Sequence, residues 1–265
     1  MTNFTIEIIS LKGDHERKRF QAAQMRRLGL SGNFIDATTP GDLPSELITK
    51  LALAWARPLR HSEVALTHSH VKAWKRVIST NCPALILEDD AVLCASLPKV
   101  LSELSSTPGL EFVQLETFNA PKLIDKNLKN LRCRPYEIGR LYRDRGGAAA
   151  YLLWPEAAKK LVNSVKRNYP PADAAIHLAP NIMRHQVVPA CAVQAMNVSA
   201  DSPDFTTLGD IAPSTISLVP KPGYDSRFQW LKHKARRISI SAILLQRKII
   251  ALRRGKYELV KYTGE

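Results

Sequence analysis

The chain of 265 residues has no run of eighteen or more apolar residues, so a transmembrane helix is not expected. Its first stretch, MTNFTIEIISLKGDHERKRF, mixes acids among its bases and sets no basic segment ahead of its short apolar run. It therefore lacks the pattern of a secretory signal. Cysteine is scarce: Cys82, Cys94, Cys133 and Cys191 show no CxxC spacing. That argues against a zinc ribbon and a disulfide framework, and fits free thiols in a reducing cytosol. Acid is missing altogether between residues 226 and 257. Residues 221–265 hold twelve bases against three acids, a net +9 out of +14 for the whole chain. The basic excess belongs to the C-terminal part, which suits an anionic surface, either phospholipid or nucleic acid. What the chain does have is core material. Apolar residues make up 45%, too many for a disordered chain, and the length suits one large domain or a domain with an appendage.

Strand and helix patterns alternate. FTIEIISL (4–11) reads as a first strand. The next segment reads as a helix with Asp14 as a possible N-cap and an apolar stripe through Phe20, Met25 or Ala23, Leu28 and Leu30, stopped by Gly29. NFIDAT (33–38) reads as a second strand, and residues 39–60, with three prolines, as loop plus a short helix. Residues 62–80 predict a long helix with Val64, His68 or Thr67, Val71, Trp74 and Ile78 on one face. PALILEDD is apolar enough to be a strand covered on both faces. Further strands are expected in LEFVQLET and on either side of RDRGG, a surface excursion at 118–136, and a last strand pair in HQVVPACAVQ. Helices are expected in SLPKVLSELSS and, opening on Pro155, in PEAAKKLVNSVKRN. The alternation predicts an α/β fold with a mostly parallel sheet. The division expected is 1–215 for the main domain and 216–265 for a linker and a basic amphipathic helix.

In open α/β sheets ligands gather at the carboxyl ends of strands. ALILEDDAVL places Glu88, Asp89 and Asp90 at such an end. Adjacent carboxylates repel, and inside a cleft the repulsion calls for a cation. Oxygen ligands favour a hard ion such as Mg²⁺ or Mn²⁺, which takes substrate phosphates as further ligands. A solvated turn after a core strand is the plainer alternative. His68 and His70 lie about 200° apart on a helix and cannot share one metal. Trp74 fits the core better than a sugar platform. Gly146-Gly147 fits a turn better than a backbone approach to ligand.

These pieces together resemble glycosyltransferase family 25, the lipopolysaccharide-modifying glycosyltransferases. The resemblance is carried by Ser10-Leu11 with Glu16-Arg17, then Glu63, Ser69-His70 and Trp74, then Leu87-Glu88-Asp89-Asp90. AAAYLLWPEAAKKLV, PPADAAI and VVPACAVQ follow in order, so it covers roughly residues 4–200. Leu66 stands where the family usually has cysteine, Ser62 where it has glycine, and Trp154-Pro155 in place of a serine-containing pair. The resemblance implies a GT-A-like, Rossmann-type sheet flanked by helices and transfer of a hexose, galactose in many members, from a UDP-sugar. It implies Glu88-Asp89-Asp90 as a DxD-type motif, with Asp90 and Glu88 toward Mn²⁺ or Mg²⁺. It puts Ser10, Leu11, Arg17, Glu63, His70, Glu88 and Asp89 at the donor, His70 with a structural hydrogen bond as the alternative. An inverting transfer needs a general base for the acceptor hydroxyl. Asp173 is the first candidate, Glu116 the second and Asp144 the third; an N-cap is the structural alternative for Asp173.

The basic region carries a heptad stripe: Phe228, Leu231, Ala235, Ile238, Ala242, Leu245, Ile249 and Leu252. A homodimeric coiled coil would set base against base. A helix lying on anionic lipid fits better, with packing of the stripe on the domain as the alternative. A lipid-linked oligosaccharide acceptor at the cytoplasmic membrane face would suit it, and nucleic acid is not the expected partner. The competing classes are a metal-dependent phosphodiesterase or nuclease and a non-catalytic binder of nucleotide or carbohydrate. DNA binding without UDP binding would favour the nuclease, and UDP binding without turnover the binder.

Overall fold

The computed structural model describes residues 4–118, 120–144, 146–198, 211, 220, 222–224 and 226–264. In chain order the elements are β1 (Thr5–Ser10), α1 (His15–Arg27), β2 (Asn33–Asp36), α2 (Ser45–Ala52), α3 (His61–Thr80), β3 (Ala84–Glu88), β4 (Ala91–Leu93) and α4 (Leu97–Ser105). There follow β5 (Phe112–Gln114), β6 (Glu116–Thr117), β7 (Lys122–Asp125), β8 (Lys129–Asn130), β9 (Glu137–Arg143), β10 (Ala150–Leu153), α5 (Pro155–Asn168) and α6 (Ala172–Leu178). The chain ends with β11 (Arg184–Val188), β12 (Ala192–Gln194), α7 (Arg227–Ala251) and β13 (Gly255–Glu258).

Among the described residues one ten-stranded sheet runs β13-β7-β9-β11-β5-β10-β3-β1-β2, with β8 on β9, and a small sheet runs β4-β12-β6. The large sheet is mixed rather than mostly parallel. β1–β2, β1–β3 and β5–β11 are parallel. β10 enters between β3 and β5 against both, and the pairs beyond β11 are also antiparallel. A strand covered on both faces is a plain apolar run in either direction, so AYLL carries no mark of its reversal.

Helices cover both faces. In β3 the side chains alternate, as strand geometry requires. Ile86 joins Ile9, Phe112, Tyr151 and Leu153 under α3 and α5. Leu85 and Leu87 join Ile6, Ile8, Val113 and Leu152 on the other side, with Met25 of α1 and Leu97, Leu101 and Leu104 of α4. α1 departs from its expected stripe. Its buried residues are Gln21, Gln24 and Met25. Its two glutamines face the acids, as described below. α3 packs its expected face on the core, with Val64, Thr67 and Trp74 buried; His70 is fully buried as well, and His68 half-buried.

Three further expectations change. The excursion at 118–136 contains β7, a strand of the large sheet, with Lys122 fully buried. The two strands around RDRGG, β9 and β10, exist but are not neighbours, and β11 and β12 lie in different sheets. The region 216–265 does not stand apart from the domain. Most of the expected linker lies outside the described residues, but β13 pairs with β7 and closes that edge of the sheet. Val260 is buried with Ile124, Leu141 and Ala190, and Thr117 Oγ1 donates to its carbonyl at 2.5 Å.

The heptad stripe on α7 does not pack on the domain. The seated face is offset from it: His233 and Ala251 are buried, and Arg236, Ile240, Leu244 and Arg247 are half-buried. Removing residues 255–265 is expected to destabilise the whole domain by about 3 kcal/mol or more, from lost Val260 burial and an opened sheet edge. Urea denaturation checks this; an unchanged midpoint would mean that the C-terminal strand is an appendage after all.

Candidate active site

β1 and β3 are parallel neighbours, with Ile9 opposite Glu88. Their carboxyl ends therefore open side by side. Ser10, Glu88, Asp89 and Asp90 meet there, with Arg17 reaching in from the first turns of α1. Asp14 caps that helix, accepting from the Arg17 backbone N–H at 3.0 Å. The Arg17 guanidinium donates to Asp89 at 2.9 Å and to the Ile211 carbonyl at 3.1 Å. Leu11, by contrast, is exposed beside a shallow cavity of about 630 Å³ that also takes in Lys12, Asp14 and Thr39.

The turn carrying the acids is held from below. Gln21 Nε2 donates to the carbonyls of Asp89 and Ala91 at 3.1 and 2.8 Å. Gln24 Nε2 donates to the Ala91 carbonyl at 2.8 Å, and its oxygen accepts from Leu93 N–H at 2.8 Å. These two glutamines were not among the expected site residues. Their signal was a pair of amides three apart beside Met25, on a helix face that otherwise meets the core.

Burial raises the pKa of Asp89, with the Arg17 ion pair opposing it. Burial, then Glu88, push Asp90 up to about 7; Arg17 opposes this and Asp89 adds to it. Oδ1 of Asp90 is buried without a hydrogen-bond partner. Among the described residues no cluster of three or more His, Cys, Asp or Glu is arranged to hold a metal. The residues that fit a cation are therefore few: Asp90, with its free buried oxygen, and the oxygen of Glu88 that His70 leaves open.

Glu88 is oriented by a buried chain. Trp74 Nε1–H donates to Tyr151 Oη at 2.8 Å. Tyr151 Oη lies 2.9 Å from His70 Nδ1, and His70 Nε2 lies 3.1 Å from Glu88 Oε1. An indole N–H can only donate, so the tyrosine oxygen accepts from it, and a carboxylate at Nε2 favours the tautomer in which the tyrosine hydrogen goes to Nδ1. The imidazole hydrogen is then on Nε2, aimed at the carboxylate. His70, expected at the donor or in a structural hydrogen bond, is fully buried with both nitrogens engaged, one by Tyr151 and one by Glu88.

Of the candidate bases, Glu116 is fully buried. Its Oε2 accepts from the N–H groups of Ala149 and Ala150. Glu88 N–H donates to the Ala149 carbonyl at 2.9 Å, so the two acids flank one residue of the backbone. Burial pushes Glu116 up to about 8, with Lys122 opposing and Glu88 adding. A pKa raised this way favours the neutral carboxyl, which is a poor proton acceptor. Asp144 is spoken for as well: it pairs at 2.7 Å with buried Lys122, which also donates to the Glu116 carbonyl and to Gln186 Oε1 at 2.8 and 2.7 Å. Asp173, half-buried in the first turn of α6, lines a cavity of about 340 Å³ with Arg143, Ala174 and His177. Its Oδ1 accepts from the Ala174 N–H at 2.7 Å, and its charge is felt by Arg57.

Glu63, expected at the donor, instead latches the loop before α3. It accepts from both Arg57 nitrogens at 3.0 and 2.5 Å and from the Arg60 N–H at 2.8 Å. Burial opposes ionisation of Glu63, but these partners together lower its pKa. The two groups of acids meet at Gly146-Gly147. A Cβ on Gly146 would lie 3.8 Å from Asp173 Oδ2, and one on Gly147 only 2.7 Å from Glu116 Oε1. Gly147 also has φ +102°, so both the turn and the close approach require glycine.

Two outcomes follow from this geometry. Tyr151→Phe strands the Trp74 N–H and His70 Nδ1, and is expected to cost about 1–3 kcal/mol in urea denaturation. Glu116 in the unfolded chain ionises near 4.5, while the folded carboxyl keeps its proton to about 8. Stability therefore falls as pH rises across that window. Glu116→Gln keeps the acceptor oxygen and removes the titration, so its melting temperature should gain on the wild type between pH 5 and pH 8. A constant difference would mean that Glu116 is ionised in the fold.

A family model described as glycosyltransferase family 25 (LPS biosynthesis protein) matches residues 3–176. The lipooligosaccharide biosynthesis protein lic2B of Haemophilus influenzae is 30% identical over 165 residues, which cover 58% of this chain and 60% of that one. The chain thus spans about three fifths of that relative's length. A solved glycosyltransferase involved in the glycosylation of the major capsid of PBCV-1 aligns at 13% identity and TM-score 0.37, over 74% of this chain and 94% of its own. A score that low carries no weight for the fold. The family match runs from β1 through the first turns of α6 and takes in Arg17, Glu63, Glu88, Asp89, Asp90, Glu116 and Asp173. The chain belongs to glycosyltransferase family 25.

Proposed function

We propose that the protein transfers a hexose, galactose in our reading, from a UDP-sugar to a lipopolysaccharide or lipooligosaccharide acceptor, with inversion at the sugar carbon. The observation that carries this is the crowded end of β3, where a buried Asp90 oxygen has no partner and burial, with the neighbouring carboxylates Glu88 and Asp89, raises its pKa. Family membership turns that feature toward a nucleotide-sugar site.

In this reading Asp90 holds Mn²⁺ or Mg²⁺ with the free oxygen of Glu88, and donor phosphates and water complete the shell, as is usual for hard ions with few protein ligands. The bound cation supplies positive charge against the departing diphosphate. Arg17 offsets Asp89 and adds positive charge beside the same strand end. His70 keeps Glu88 facing the cleft. Asp173 is the general base, because it is the one candidate that is neither protonated by burial nor locked to a lysine. It stands across Gly146 from the acids, where an acceptor hydroxyl would enter. The acceptor's lipid end places the reaction at the cytoplasmic face of a membrane. None of the described helices is long and apolar enough to cross one.

Asp90→Asn tests the reading. Transfer from UDP-galactose to a truncated glycolipid acceptor in the presence of Mn²⁺ should fall by about a hundredfold or more. The melting temperature should hold or rise, since an acid buried among like charges is removed. The stabilisation that UDP with Mn²⁺ gives the wild type should disappear. Full turnover in the variant, or stabilisation of the wild type by DNA and not by UDP, would overturn the proposal.

A further inference from the structure

α7 is seated the wrong way round for an ordinary surface helix. His233, Arg236, Arg237 and Arg247 turn toward the domain, while its lysines stay exposed. His233 Nε2 bonds the Leu53 carbonyl at 3.1 Å. Arg236 donates to the carbonyls of Ala54 and Trp55, Arg237 to Ala56 and Arg247 to His177. The carbonyl ends of a loop and of α6 thus accept much of the helix's charge. At 100° per residue, the heptad stripe falls on the side roughly opposite His233 and Ala251. Phe228 is 78% exposed, Ile238 65% and Leu245 58%, and Leu231, Ile249 and Leu252 are more than half exposed.

A contiguous apolar ridge of this length on a protein surface marks an interaction site. Its margins say what kind. Lys232 borders it on one side and Lys234 and Lys248 on the other, and no acid lies anywhere between residues 226 and 257. A second copy of the helix laid against it would bring lysine to lysine with nothing to offset them. Anionic lipid offers both an apolar interior for the ridge and negative headgroups for its edges. We infer that the outward face of α7 is a docking surface for an anionic bilayer, with the helix lying in the interface plane.

The inward contacts give this docking a consequence for the site. The loop gripped by Arg236 and Arg237 runs on into Arg57, the partner of Glu63, and Arg247 bonds the carbonyl of His177, beside Asp173 in the cavity. A helix fixed on lipid therefore fixes the Asp173 rim at a set height above the membrane. That consequence rests on the glycosyltransferase reading; the docking itself does not. The helix also lies beyond residue 176, where the family match ends.

Co-sedimentation of the full chain with vesicles tests it without any turnover. Binding is expected to vesicles containing about one third phosphatidylglycerol, to weaken steeply with salt, and to be slight on pure phosphatidylcholine. The double substitution Ile238→Ser with Leu245→Ser should lower the partition coefficient by about a hundredfold. Both positions are exposed, so its melting temperature should match the wild type. Equal binding by the variant, or binding indifferent to lipid charge, would overturn the inference. So would a wild-type dimer in sedimentation velocity that the same substitutions dissociate, which would make the face an interface between copies. Loss of transfer activity with vesicle binding intact would count against the enzyme reading alone.

Discussion

Carboxyl groups crowd one strand end in this protein, and little water reaches them. Glu88, Asp89, Asp90 and Glu116 share the end of β3 and the backbone beside it, and burial raises three of them. Like charges in low dielectric must be protonated, paired or offset by a cation. The chain uses two of these answers itself. Glu116 keeps its proton, and Asp89 takes Arg17. Asp90 Oδ1 is buried without a hydrogen-bond partner; so is Glu116 Oε1, but that carboxyl is the one whose pKa burial raises further. The asymmetry among chemically similar neighbours is what gives the cluster a direction.

Keeping such a cluster in place requires support that does not itself add charge. The backbone turn is held by neutral amides from Gln21 and Gln24, which fasten its carbonyls without altering the electrostatics above. Glu88 is oriented by an imidazole, itself held by a phenol and an indole. Each member of that chain has one way to satisfy its hydrogen bonds. Polar groups buried this way hold a geometry only when every one is paired. Gly147 completes the arrangement by leaving out a side chain, so that Glu116 can close against the loop.

Much of this was legible in the sequence. An aliphatic run ending in three acids located the strand and the cluster, and Pro155, Asp14 and Gly29 marked helix ends. Strand direction was not legible, because β10 is covered on both faces and its residues alternate identically either way. Nor was the inward face of α1, where glutamines stand in positions that periodicity assigns to apolar residues. On α7 the face that seats against the domain was not legible either. A heptad of apolar residues locates a face that avoids water, but not the surface that covers it. Here backbone carbonyls of a loop and of α6 attracted the arginines and histidine more strongly than the core attracted the leucines.

The three acids weighed as a base show why residue type alone could not sort them. Asp144, Asp173 and Glu116 are equivalent on paper. In the fold, Lys122 holds Asp144 in a buried pair, and removing either partner would strand a charge. Glu116 accepts two amide hydrogens, which favours ionisation, yet burial is the larger influence and raises its pKa. Asp173 sits half-buried at a helix start on a cavity wall. Environment thus gives three carboxyl groups of one kind three different settings: a buried ion pair, a buried carboxyl against a glycine, and a half-buried cavity wall. That division depends on long-range contacts from Lys122 and Gly147 that no local pattern encodes.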